Sequence, residues 1–147
     1  MEPTLNFWNL SNHEIERSWP EAQKNAARKW AGVNQTLLLK DLSFPQIDPD
    51  LASEIVGQLA ADYSSRLQAL GCQSGEPILV QGEFTFVLAI VPLLQEMGLV
   101  PLCATSRRLG HEVLEADGTV TKSYRFEFVR FREYIRYPTL SGERPGK

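Results

Sequence analysis

Apolar positions along the first hundred residues switch repeatedly between a strand-like and a helix-like spacing, and each switch is marked by turn-forming residues. Leu5 to Leu10 is a short, aromatic-rich run followed by Ser11, Asn12 and His13, which predicts a strand and then a loop. Ser18 before Trp19, Pro20 and Glu21 combines a capping hydroxyl, an early proline and an acidic residue three positions on, so a helix is predicted from here to Gly32. Thr36 to Leu42 reads as a second strand, closed by Ser43, Phe44 and Pro45. Leu51, Ile55, Leu59, Tyr63 and Leu67 then recur four apart, with polar residues between, which predicts an amphipathic helix up to Gly71.

Pro77 to Gln81 is a continuous apolar strand signal broken by Gly82 and Glu83. The dense apolar stretch Phe84 to Met97 reads as a buried helix ending at Gly98, with Pro92 expected to kink or divide it. Leu99 to Ala104 supplies a fourth strand, where Pro101 implies an edge or a strand start. The residues Thr105 to Arg108 read as the loop beyond it. Ala116, Asp117 and Gly118 between two strand-like runs predict a hairpin. Its second arm places Phe126 and Phe128 in one phase and Val129 and Phe131 in the other, so a bulge near Phe128 or burial on both faces is expected. The order β α β α β α β followed by a hairpin implies an α/β fold: a mainly parallel sheet with helices on both faces, ending in antiparallel strands.

Composition sets limits on that picture. The chain has 147 residues, 43% hydrophobic and 22% charged, enough for one core but not for two independent domains. One domain over residues 1–137 is expected, with the Pro-, Gly- and Ser-rich residues 138–147 as a disordered tail. No segment has the roughly 18 uninterrupted apolar residues of a membrane span. The first residues also lack a basic region followed by an apolar stretch, so a cytoplasmic location is expected. Cys72 and Cys103 read as reduced thiols.

The net charge of −3 argues against long nucleic acid as a partner, but the charge is unevenly spread. Met1 to Ser106 carries 6 basic and 12 acidic side chains, whereas Arg107 to Lys147 carries 9 basic and 6 acidic. Five of those positive groups, Arg107, Arg108, Arg125, Arg130 and Arg132, are arginines, whose planar fork suits phosphate. The alternative is an ordinary solvated strand face.

In a sheet of this class ligands bind beyond the carboxyl ends of the strands. Three strand ends there carry chemistry: Ser11, Asn12 and His13; Gly82, Glu83 and Thr85; and Thr105, Ser106, Arg107 and Arg108. His13 is suited to proton transfer near neutral pH, or is simply an exposed turn histidine. Glu83 reads as a general base, as a partner for His13, or as a cap on the helix that follows. Gly82 would let a backbone approach closely and the helix N–H groups face an anion, although neither a Walker A nor a GxGxxG spacing is present. Arg107 and Arg108 could clamp a phosphate or form a surface pair. The two histidines have no metal-ligand spacing and no carboxylate cluster, so neither a metal nor another cofactor is expected.

Taken in order, NLSNH at 9–13, FPQIDPD at 44–50, QGEFTF at 81–86, CATSRR at 103–108 and FEFVRFREY at 126–134 resemble a family of small bacterial proteins found with type III CRISPR systems. The resemblance implies a Rossmann-like three-layer sandwich similar to the CARF class, which recognises cyclic oligoadenylate as a two-fold homodimer. Some relatives are ring nucleases that cut the messenger, and a chain of this size has no room for a separate effector. The resemblance places ligand contacts on Ser11, Asn12, His13, Gly82, Glu83, Thr85, Thr105, Ser106, Arg107 and Arg108; it does not say which are catalytic, and side-chain chemistry points to His13 or Glu83 for the proton and to Arg107 with Arg108 for the phosphate. Cleavage would proceed by 2′-hydroxyl attack without a metal. The alternative is a sensor or sponge that binds the messenger without cutting it.

Overall fold

A computed structural model of the chain describes residues 3–137. The tail expected at 138–147 lies outside the described residues. The elements are β1 (Thr4–Ser11), α1 (Ile15–Ser18), α2 (Glu21–Arg28), β2 (Thr36–Ser43), α3 (Ser53–Ala69), β3 (Pro77–Val80), α4 (Phe84–Glu96), β4 (Val100–Leu114) and β5 (Val120–Glu133). The strands form one sheet in the order β2-β1-β3-β4-β5. The first four are parallel and β5 runs antiparallel to β4, giving a Rossmann-like sandwich.

Side-chain alternation along β1 explains why both faces of the sheet are covered. Phe7 points to one face, where it packs with Ile15 and Trp19, Ala27 of α2, Leu79 and Leu102. Trp8 and Leu10 point to the other, against Val56, Ala60 and Leu67 of α3 and Phe86 and Ile90 of α4. A strand buried on both faces loses polar alternation, which is why all four residues of β3 are apolar or proline and buried. Pro92 lies within α4 and does not divide it. Gly98, at φ 82°, provides the left-handed turn after α4. No helix among the described residues is long and apolar enough to cross a membrane.

Two local expectations are corrected. Ser18 does not cap the second helix: it is the last residue of the four-residue α1, and Pro20 stands at the N-cap of α2. Pro101 meets the second of its two expected readings, standing at the start of a strand, here an interior one where it pairs with Ile78 of β3. Thr105 to Arg108 are not a loop. β4 leaves β3 after Leu102 but stays paired to β5 out to Leu114, so these four residues sit in the middle of a long strand. The hairpin contains the expected bulge: Thr105 faces Arg130 and Ser106 faces Phe128, leaving Val129 as the extra residue. Beyond it the two strands project past the sheet as an arm.

Candidate functional site

The order β2-β1-β3-β4 reverses the direction of winding between β1 and β3, and the chain leaves their carboxyl ends towards opposite faces. A cleft opens on the α1 and α2 side of this switch point, with a volume of about 260 Å³. Its floor and polar rim come from Ser11 and His13 after β1, Gln81 after β3, and Thr105 and Ser106 of β4. Its walls are Trp19 and Gln23 on one side and Phe126 and Phe128 of the arm on the other.

The β1 end is held by a buried hydrogen-bond network. Asn9 is buried and donates from Nδ2 to the Asp41 carboxylate and to the His13 carbonyl, both at 2.8 Å. The Ser11 hydroxyl donates to Asn9 Oδ1 at 2.8 Å and accepts from the His13 backbone N–H at 3.2 Å. Asp41 also accepts from the Ile15 N–H at 3.2 Å, which ties the first turn of α1 to β2. His13 is therefore presented to solvent on a backbone fixed from three directions. A fully satisfied network of this kind orders its loop more firmly than surface turn residues do.

Around the cleft itself, hydrogen-bonding capacity is left unspent. Gln81 Oε1 accepts from the Ala104 N–H at 2.7 Å, closing the gap where β3 stops, and its amide Nε2 has no partner among the described residues. Gln23 is only 8% exposed, lines the cleft and makes no side-chain hydrogen bond among the described residues. Trp19 is 5% exposed, and its indole N–H is buried without an acceptor among the described residues. Neither Gln23 nor Gln81 nor Trp19 was singled out by the sequence, because a lone glutamine on an amphipathic helix carries no motif.

The other expected residues separate. Asn12 and Glu83 line a neighbouring cleft on the β2 side with Asp48, away from Gln81 and Gln23. Glu83 caps α4: its carboxylate accepts from the Phe86 N–H at 2.9 Å and from the Thr85 hydroxyl. The bond from Thr85, followed by that from the Phe86 backbone, holds its carboxyl below the usual carboxylate range. The first turn of α4 therefore already holds an anion of its own. Gly82 is small for a packing reason, since a Cβ there would overlap the Phe44 ring.

Arg107 and Arg108 are adjacent in a strand and point to opposite faces. Arg108 lies opposite Phe126, on the face that carries Ser106 and the cleft, and its guanidinium sits 3.7 Å from the centre of the Tyr124 ring. Arg107 lies opposite Glu127 on the other face. The structure thus brings Ser11, His13, Thr105 and Ser106 together at the cleft, keeps Arg108 on the same face of the arm, and sets Asn12, Gly82, Glu83, Thr85 and Arg107 apart. Among the described residues no group of three or more His, Cys, Asp or Glu side chains could hold a metal ion.

No curated protein and no solved structure matches the chain. A family model does, over residues 5–132, a span that takes in all five strands, the cleft and nearly the whole arm. The chain belongs to the family described as the uncharacterized protein MJ1673 family.

Proposed function

We propose that this protein is a cytoplasmic ring nuclease of type III CRISPR defence, which binds cyclic oligoadenylate at the carboxyl edge of its sheet and cleaves it. The observation that carries the reading is the cleft at the β1/β3 switch point, where His13 meets an aromatic wall and a set of neutral donors. A site of about 260 Å³ is smaller than the roughly 300–1,000 Å³ of drug-sized pockets, so it takes one nucleotide of a ring and not the whole ring. A two-fold homodimer would present two such clefts to a symmetric ligand. Phe84 and Leu88, both largely exposed on one face of α4, supply apolar surface for such a contact.

In the proposed reaction the 2′-hydroxyl of one nucleotide attacks its own 3′-phosphate and the bond to the next 5′-oxygen breaks. The products are a 2′,3′-cyclic phosphate and a 5′-hydroxyl, with one proton removed from the attacking oxygen and one delivered to the leaving oxygen. His13 is the group in the cleft suited to that proton transfer, and Arg108 is a cation on the same face of the arm. Glu83 has no part in this scheme, because its carboxylate is engaged at the end of α4.

Incubation of the protein with labelled cyclic tri-, tetra- and hexa-adenylate in EDTA tests the proposal. Linear products ending in 2′,3′-cyclic phosphate are expected, and His13→Ala should lower turnover by about two orders of magnitude while binding is kept. Unchanged turnover in that variant removes His13 from the chemistry. A second reading, binding without cleavage, is favoured by the dispersal of His13, Glu83 and Arg107 over different clefts and faces. It predicts a gel shift with intact ligand. No interaction with any cyclic oligoadenylate would sink both readings.

A further inference from the structure

Among the described residues the cleft is lined by no Lys, Arg, Asp or Glu side chain, and its neutral amides and aromatic rings suit a planar heterocycle. Two amides face it with capacity to spare. Gln23 is nine-tenths buried on α2 with both its carbonyl and its NH2 unused among the described residues. Gln81 has committed its oxygen to the Ala104 N–H and keeps only its donors. Both amides open onto the cleft, where water meets them in the free protein and a ligand can take its place. The aromatic rings of Phe126 and Phe128 stand across the cleft, and Phe126 is 71% exposed, as a stacking surface must be.

We infer that Gln23 and Gln81 are specificity-determining residues that read the edge of one adenine while the Phe126 and Phe128 wall holds its face. This deepens the function proposed above and rests on it for the identity of the larger ligand. The chemistry favours adenine over guanine for a definite reason. Its amino group and neighbouring ring nitrogen form a donor beside an acceptor, which a glutamine amide matches with two hydrogen bonds. Guanine shows two acceptors at the corresponding edge, so the Gln23 carbonyl would face a lone pair. The Gln81 donors then serve a second ring nitrogen, with the Ala104 bond keeping that side chain in place. The phosphates lie outside the cleft, towards Arg108.

The test uses the intact chain and the four mononucleotides AMP, GMP, CMP and UMP, followed by calorimetry and by tryptophan fluorescence, to which Trp19 in the cleft wall contributes. AMP should bind at least about tenfold more tightly than GMP. Gln23→Leu should erase that preference, with the melting temperature unchanged or raised, because it removes an amide that has no protein partner among the described residues. A merely structural glutamine would lower the melting temperature when replaced. Gln81→Glu keeps an acceptor for the Ala104 N–H and removes both donors, and should weaken AMP by a similar factor. Failure of all four nucleotides to bind at millimolar concentration, or equal binding that neither variant changes, overturns the inference. If cyclic oligoadenylate still binds in that case, the proposed function stands without it. AMP preference with no binding of any cyclic oligoadenylate has the opposite meaning: the base site is kept and the proposed messenger is lost.

Discussion

The two ends of the same sheet treat buried polar groups in opposite ways. At the amino end of β3, Glu76 is 1% exposed and its two oxygens accept from the Asn6 and Gln73 backbone N–H groups and from the Trp8 indole, all at 2.8–3.0 Å. At the carboxyl end, Gln23, the Gln81 amide nitrogen and the Trp19 indole N–H are left without partners among the described residues. The amino end is not perfectly closed, since Asn6 Oδ1 is also buried without a partner among the described residues. The contrast still separates two uses of polarity. A saturated group holds the fold, whereas an unsaturated group beside an open cleft is available to something that binds there.

That contrast predicts opposite outcomes for changes at the two ends. The largest effect is expected from Glu76→Ala, which strands three donors at the amino end, the Trp8 indole N–H among them in the core. Unfolding in urea should show a loss of about 3–5 kcal/mol, with the affinity of the remaining folded protein for nucleotide unaltered. A loss below about 1 kcal/mol would mean that water replaces the carboxylate and that the amino end is not sealed.

Asn9→Ala comes next, because Asn9 belongs to the saturated part of the carboxyl end. It removes the bonds to Asp41, Ser11 and the His13 carbonyl. A loss of about 2–3 kcal/mol is expected in the same urea experiment. Under the proposed function, turnover of cyclic oligoadenylate should also fall, since the loop that presents His13 is no longer fixed. Reduced stability with full turnover would show that the loop geometry does not matter to the chemistry.

The parts of this arrangement that the sequence made legible are those carried by a period. β1, β2, α3, α4 and the hairpin turn follow from alternation, i, i+4 spacing and Asp-Gly, and the parallel order follows from their succession. α1 escaped because four residues are too few to show a period. Thr105 to Arg108 were misread as a loop because polar residues in an exposed arm look like turn residues, although two-residue alternation alone would have placed Arg107 and Arg108 on opposite faces. Glu83 carried both readings, catalytic and capping, and the hydrogen bond to Phe86 realises the second. Gln23 could not be found by any rule about residue type. Its distinguishing feature is a missing partner, which exists only after the chain has folded.

Tyr134 asks whether the unspent capacity is confined to the α2 side of the carboxyl end. It lies on the opposite face, packed against the α3 and α4 core, and its hydroxyl donates to the Val80 carbonyl at 2.6 Å. Burial, with a smaller contribution from Cys103, pushes its phenol up to about 12 from an ordinary value of 10. An acid whose folded value is raised holds its proton better in the native state. It therefore adds stability that is fully present below pH 10 and is lost as the pH rises from there through about 12. Tyr134→Phe should cost about 1 kcal/mol near neutral pH and should flatten that alkaline decline, measured as the urea midpoint between pH 8 and pH 11. An unchanged alkaline decline would assign it to other groups. An unchanged neutral stability would mean that the hydroxyl at this face is also unspent, and the division between the two flanks of the carboxyl edge would no longer hold.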